Sequence, residues 1–210
     1  MSDFVETKHQ SQSGEIEYGY IRGNDKVVCI KAGRGGNHLG YEKKYVRIAE
    51  RLNSLFGCTV ICISNPMDIN NQLATDAQII QKCLKNAFVE KPKMYFMGHS
   101  DGSIKGLELA ASGMIFEKML LVNMPLMINF SRNKKIIHSL SQTKIVMAFG
   151  EKDPSFNYIP FLELNKPECL TIIKVPGADH NFKGMLDEFI ELSDILSINM
   201  EGNNANDRRY

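Results

Sequence analysis

The run Gly98-His99-Ser100-Asp101-Gly102 contains the residues whose types and spacing most directly offer chemistry. The apolar run from Met94 to Met97 predicts a buried strand before it, and residues 103–111 predict a helix after it. G-x-S-x-G between a strand and a helix is the pattern of a nucleophile elbow, where a strained turn exposes the serine hydroxyl. The pattern therefore predicts that Ser100 is a nucleophile, and the alternative is an ordinary Gly/Ser turn.

A serine nucleophile needs a base to take its proton and an acid to hold that base in the right tautomer. His180 follows the last predicted strand, and Asp153 follows the strand before it. Glu151 and Asp179 are the competing acids. His99 lies within the elbow itself, so His180 is the better placed base.

The elements that would position these residues alternate along the chain. Apolar strands alternate with helices from residue 26 onward, which is typical of a parallel sheet covered on both faces. Two earlier strands, joined too tightly for a helical crossover, predict an antiparallel edge. The fold class is therefore α/β, with a mostly parallel central sheet, helices on both faces and an antiparallel N-terminal edge. We predict strands at 3–9, 15–22, 26–32, 58–63, 94–97, 118–123, 144–149 and 170–175, and helices at 41–55, from a cap at Thr75-Asp76, 103–111, 131–140 and 183–198.

Composition describes an ordinary globular chain. The 210 residues are 43% hydrophobic and 23% charged, with a formal net charge of +1. This charge gives no general attraction to nucleic acid or to an anionic membrane. No apolar run approaches the roughly 18–20 residues that span a bilayer, and residues 1–7 do not resemble a signal peptide. We expect a single domain over 1–210, with a polar, frayed tail at 201–210, and neither nucleic acid nor membrane as a partner.

The cysteines form an odd, scattered set, most of them within apolar strand-like runs where a thiol behaves as a small core hydrophobe. Cys58 and Cys62 are separated by roughly 13 Å along one predicted strand, which is too far for a disulfide. Because the histidines are also dispersed, we expect no metal site and no cofactor. Free cysteines are typical of a reducing compartment, so we expect a cytoplasmic protein. The five cysteines are Cys29, Cys58, Cys62, Cys83 and Cys169.

Taken in order, these strand-end motifs resemble those of the α/β-hydrolases, over roughly residues 15–198. The resemblance implies a triad of Ser100, Asp153 and His180, because the family's acid lies three residues beyond a strand-ending glycine. It also implies a serine hydrolase that cleaves a small ester or related acyl bond through an acyl-enzyme. The alternatives are C–C bond or thioester hydrolysis on the same triad, or a non-catalytic ligand-binding or interaction protein. The motifs that carry the resemblance are Gly98 to Gly102, Gly150 to Asp153, Pro176 to His180 and the glycine-rich turn at residue 33.

The resemblance further implies an oxyanion hole made of two backbone N–H donors. Asp101, the residue after the nucleophile, supplies one. Ala32-Gly33 stands where the family has His-Gly, so the second donor is Arg34, with Gly35 as the alternative. The same loop resembles the start of a dinucleotide-binding G-x-G-x-x-G, but His38 occupies the third glycine position.

The expected substrate is a small molecule bound at an open site. Only residues 124–143 connect the strand after the elbow helix to the strand leading to Asp153, which leaves room for one short helix and no large lid. One hypothesis is that the Asp101 carboxylate attracts a cationic ester, and the alternative is a helix N-terminal acid stabilised by the helix dipole. The predicted substrate-binding residues are Asn37, His99, Met124, Phe156 and Asn181, with Arg34, Met67 and Leu126 beside them.

Overall fold

The computed structural model describes residues 3–12, 14–68 and 72–196, and its eight strands form one sheet. The order across the sheet is β1-β2-β4-β3-β5-β6-β7-β8. The β1–β2 and β2–β4 pairs are antiparallel, and the remaining pairs are parallel. The predicted mostly parallel sheet with an antiparallel N-terminal edge is confirmed. The strands are Val5–Ser11 (β1), Gly14–Ile21 (β2), Lys26–Lys31 (β3), Thr59–Ile63 (β4), Lys93–His99 (β5), Lys118–Val122 (β6), Lys144–Gly150 (β7) and Leu170–Val175 (β8).

Helices cover both faces of this sheet. Neighbouring residues of β5 show why: Phe96 packs into the apolar cluster beneath α2 and α3, whereas Met97 packs into the cluster beneath α1 and α6. Side chains alternate across a strand, so a continuously apolar strand needs cover on both sides. The helices are Lys44–Phe56 (α1), Gln72–Asn86 (α2), Asp101–Ala111 (α3), Phe130–Ser139 (α4), Ile159–Glu163 (α5) and Leu186–Glu191 (α6), with 3-10 turns at Tyr41–Lys43, Pro154–Tyr158 and Leu192–Leu196.

Two predicted helices differ from those observed. The cap predicted at Thr75-Asp76 is wrong, since both residues lie inside α2. Asp76 is fully buried, and its carboxylate accepts a hydrogen bond from Lys31 Nζ at 2.7 Å. It therefore pairs with a lysine of the sheet instead of capping the helix. The helix predicted at 183–198 is a short α6 followed by a 3-10 turn to Leu196. Residues 197–198 and the predicted tail at 201–210 lie outside the described residues.

Two further observations concern the predictions on cysteines and membranes. All five cysteines are free. Within the described ranges, the helices are too short or too polar for any of them to cross a bilayer.

Candidate active site

Ser100 lies in the tight turn between β5 and α3. Its backbone has φ 53° and ψ −126°, a strained conformation for a residue with a side chain. The flanking glycines are required by close backbone approaches. A Cβ on Gly98 would lie 2.5 Å from Ser103 Cα, and one on Gly102 would lie 2.4 Å from the Lys31 carbonyl oxygen. The local sequence therefore folds as the predicted elbow.

The sheet brings Ser100, His180 and Asp153 together. His180 Nε2 lies 2.9 Å from Ser100 Oγ, and His180 Nδ1 lies 2.5 Å from Asp153 Oδ2. A carboxylate can only accept, so Nδ1 carries the proton and Nε2 is free to accept from the serine hydroxyl. Asp153 is buried, and its other oxygen accepts from Ser155 N at 2.7 Å. This is the proton path that an activated serine requires.

The competing acids are engaged elsewhere. Glu151 accepts a hydrogen bond from the Gly177 N–H at 2.9 Å. Asp179 accepts from the N–H groups of Lys183 and Asn181, and these bonds, that of Lys183 foremost, lower the pKa of its carboxyl. Asp153 is the acid that contacts the His180 ring.

The loop after β3 packs beside the nucleophile, since a Cβ on Gly33 would lie 3.3 Å from Ser100 Cβ. Two of its N–H groups are engaged: Gly35 donates to the Asn65 carbonyl at 2.7 Å and Gly36 to the Gly33 carbonyl at 2.9 Å. Among the described residues, the Arg34 N–H has no acceptor. The observed bonding therefore favours Arg34 over Gly35 as an available donor.

Asp101 begins α3, and its N–H likewise has no acceptor within the described part of the chain. Its carboxylate accepts from Asn65 Nδ2 at 3.0 Å. Asn65 Nδ2 also donates to the Ala32 carbonyl, and the Asn65 backbone pairs with Gly35. The Asp101 side chain thus links the elbow to the loop after β3, and it is not among the residues lining the cleft at Ser100. These contacts favour a structural carboxylate over recognition of a cationic substrate.

Asn123, which sequence reasoning missed, contacts the loops that carry Asp153 and His180. It follows β6, is fully buried and has φ 46°. Its Nδ2 donates to the carbonyls of Asp179 (3.1 Å) and His180 (2.9 Å), and its Oδ1 accepts from Gly150 N (2.8 Å). One amide therefore joins the loop carrying the acid to the loop carrying the base. The available signal was a lone polar residue at the end of a buried strand.

His99 supports the same loop. Its Nε2 donates to the His180 carbonyl at 2.8 Å, and its ring meets Phe189 edge-on at 5.4 Å. Burial, aided by the nearby Lys44 charge, lowers the pKa of His99 to about 3, so the ring is neutral. Its contacts are those of a positioning residue, although its ring also borders the cleft.

A cleft of about 520 Å³ opens beside Ser100. Of the predicted substrate-binding residues, Asn37, His99 and Asn181 line it, and so does Arg34. Tyr41, Lys44 and Tyr45, which sequence reasoning missed, line it as well.

Met124 and Phe156 do not line that cleft. Met124 is fully buried and Leu126 almost so, in the cluster that also contains residues of α4 and α5, and Phe156 packs against the same cluster. The apolar residues after β6 are therefore core, because they pack in one cluster with side chains of α4 and α5. Met67 is exposed and lies beside Gly35.

Neither a protein-family model nor a curated protein matches this sequence. Among solved structures, the chain is similar to Est1E from Butyrivibrio proteoclasticus, with a TM-score of 0.70 and 14% identity over 92% of this chain and 98% of that one. It is also similar to a lidless serine hydrolase from Xanthomonas campestris (TM-score 0.66, 15% identity, 93% and 94% covered). A third similar structure is a thermostable carboxyl esterase from Bacillus coagulans, with a TM-score of 0.66 and 14% identity over 94% of this chain and 99% of that one. Together with the strand order, these likenesses show that the chain has the α/β-hydrolase fold.

Proposed function

We propose that this protein is a serine hydrolase that cleaves a small carboxylic ester. The observation that carries the proposal is the hydrogen-bonded series from Ser100 through His180 to the buried Asp153. The names of two structurally similar proteins, a serine hydrolase without a lid and a carboxyl esterase, are consistent with it. The open cleft beside Ser100, with only α4 between β6 and β7, suits a small substrate.

The geometry accounts for each step of such a reaction. His180 Nε2 takes the proton of Ser100 Oγ as the oxygen attacks the ester carbonyl, and Asp153 stabilises the imidazolium that forms. The N–H groups of Asp101 and Arg34 donate to the developing oxyanion. His180 then gives its proton to the leaving alcohol, and water, activated by the same ring, hydrolyses the acyl-enzyme.

Labelling with a fluorophosphonate tests this proposal. We expect the reagent to modify wild-type protein on the peptide that contains Ser100, and to leave Ser100→Ala unmodified. Ser112→Ala is the matched control, because Ser112 is exposed at the opposite end of α3 and should not alter labelling. Hydrolysis of 4-nitrophenyl acetate should follow the same pattern. Folded wild-type protein that is neither labelled nor active would support a non-catalytic binding protein instead.

We also propose a cytoplasmic location, on separate grounds. All five cysteines are free, and four of them are buried. Free thiols persist in reducing compartments.

A further inference from the structure

Lys44 is a buried cation at the edge of the candidate active site. It is the first residue of α1, is only 7% exposed and lines the same cleft as Ser100. Its Nζ lies 4.2 Å from the centre of the Phe189 ring and 5.2 Å from that of Tyr45. These rings enclose the side chain, yet neither carries a charge that would neutralise the ammonium.

The contrast with Lys31 shows how unusual this is. Lys31 is the other buried lysine of the described residues, and its Nζ binds the Asp76 carboxylate and the Ser64 carbonyl, each at 2.7 Å. Lys44 has no such partner: within the described chain no carboxylate or carbonyl lies within bonding distance of its Nζ. A buried ammonium without a counter-charge costs folding free energy. Burial accordingly lowers the pKa of Lys44 to about 8, which leaves it mostly protonated at neutral pH.

The charged side chains that line the cleft are positive. Arg34, which is exposed, lines it together with Lys44, and none of its lining residues is Asp or Glu. The ammonium is not among the fully buried unpaired atoms, so it keeps contact with solvent. An anion that enters the cleft would meet a cation that the protein itself leaves unpaired.

We propose that the substrate carries a carboxylate which pairs with the Lys44 ammonium, so that the enzyme hydrolyses anionic esters in preference to neutral ones. The substrate class is then a monoester of a dicarboxylic acid, or an ester whose alcohol part bears a carboxylate. This inference rests on the proposed hydrolase function. Lys44 then selects the substrate, whereas Ser100, His180 and Asp153 perform the reaction.

Matched ester pairs test the preference. One pair places the charge on the acyl side: 4-nitrophenyl hydrogen adipate and its methyl ester. The other places it on the alcohol side: 4-acetoxybenzoate and its methyl ester. At pH 7 we expect kcat/KM of the wild type to favour the anionic member of at least one pair by about tenfold, the scale of a hydrogen bond to a charged group. Rates with Ser100→Ala give the background for each ester.

Substitutions at two adjacent lysines test whether Lys44 causes the preference for anionic esters. Lys44→Met removes the charge and keeps an apolar stem against Phe189, and it should abolish most of the ratio between anionic and neutral esters. Lys43→Met removes the same charge one residue earlier, from an exposed side chain that does not line the cleft, and should leave the ratio unchanged. Lys44→Gln is a second neutral variant in case Lys44→Met does not fold.

The outcomes separate this inference from the function on which it rests. Wild-type protein that hydrolyses no ester would overturn both. Ser100-dependent hydrolysis with no anionic preference in either pair would overturn the role of Lys44 alone. So would a preference that survives in folded Lys44→Met and Lys44→Gln.

Discussion

Replacing Lys44 by methionine should make the protein more stable at neutral pH, although it removes a proposed substrate contact. The unfolded chain holds the Lys44 proton up to about its ordinary pKa of 10.5, whereas the folded chain holds it only up to about 8. That difference corresponds to about 3 kcal/mol of lost stability at pH 7. Lys44→Met also loses the contacts of the ammonium with the Phe189 and Tyr45 rings, which costs the variant about 1 kcal/mol of stability. The expected net gain is about 2 kcal/mol.

This gain should depend on pH in a defined direction. Between about pH 8 and 10.5 the unfolded state binds the Lys44 proton more than the folded state does, so this group's contribution to wild-type stability rises with pH. Lys44→Met lacks that contribution. Its advantage should therefore shrink from about 2 kcal/mol at pH 7 to nearly zero at pH 10.

Urea unfolding at pH 7 and pH 10 measures both quantities. The free energy of unfolding is compared between variants at each pH, because the buried thiols and tyrosines titrate alike in all of them. Lys43→Met, an exposed change, should stay within about 0.5 kcal/mol of wild type at both values. If Lys44→Met is less stable than wild type at pH 7, or if its advantage is the same at pH 10, then the buried charge does not oppose folding and the reasoning fails.

Two further predictions concern the acid and its support. Asp153→Asn should lower kcat for 4-nitrophenyl acetate by about 10⁴-fold, because an amide donates to His180 Nδ1 and leaves the proton on Nε2; near-normal kcat would exclude this carboxylate as the acid. Asn123→Ala removes both donors to the carbonyls of Asp179 and His180, so it should lower kcat about 10- to 100-fold with little change in KM, because His180 loses its position. It should also cost about 2 kcal/mol in urea unfolding, since buried partners lose their hydrogen bonds. A change in stability with kcat unaltered would make Asn123 a purely structural residue.

The elbow that carries Ser100 could be predicted because its signal is local. The elbow needs only a strand, two glycines at close backbone approaches and a following helix, and all of these lie within residues 93–111. His180 and Asp153 could be predicted almost as well, since parallel strands end at one edge of a sheet and each residue follows a strand. The choice between Arg34 and Gly35 could not be made from the sequence, because it depends on Asn65, which accepts the Gly35 N–H from another loop.

Sequence reasoning did not predict the environment of residues that contact distant segments of the chain. Asp76 has the residue type of a helix cap, but the tertiary structure buries it against Lys31. Met124 is among the predicted substrate-binding residues, but it is fully buried in the apolar cluster that also contains residues of α4 and α5. In each case the residue type allowed two environments, and packing from elsewhere in the chain selected one.

The sequence by itself determined the sheet, the elbow and the strand-end positions of Ser100, Asp153 and His180, because strand and turn formation depend on patterns a few residues long. Only the tertiary structure decided how the site is held and what borders it. Asn123 joins two loops that are far apart in the chain, and no short pattern encodes such a bond. The sequence around Lys44 is typical of a solvated charge on an amphipathic helix. Lys44 is buried because Phe189 of α6 lies against it.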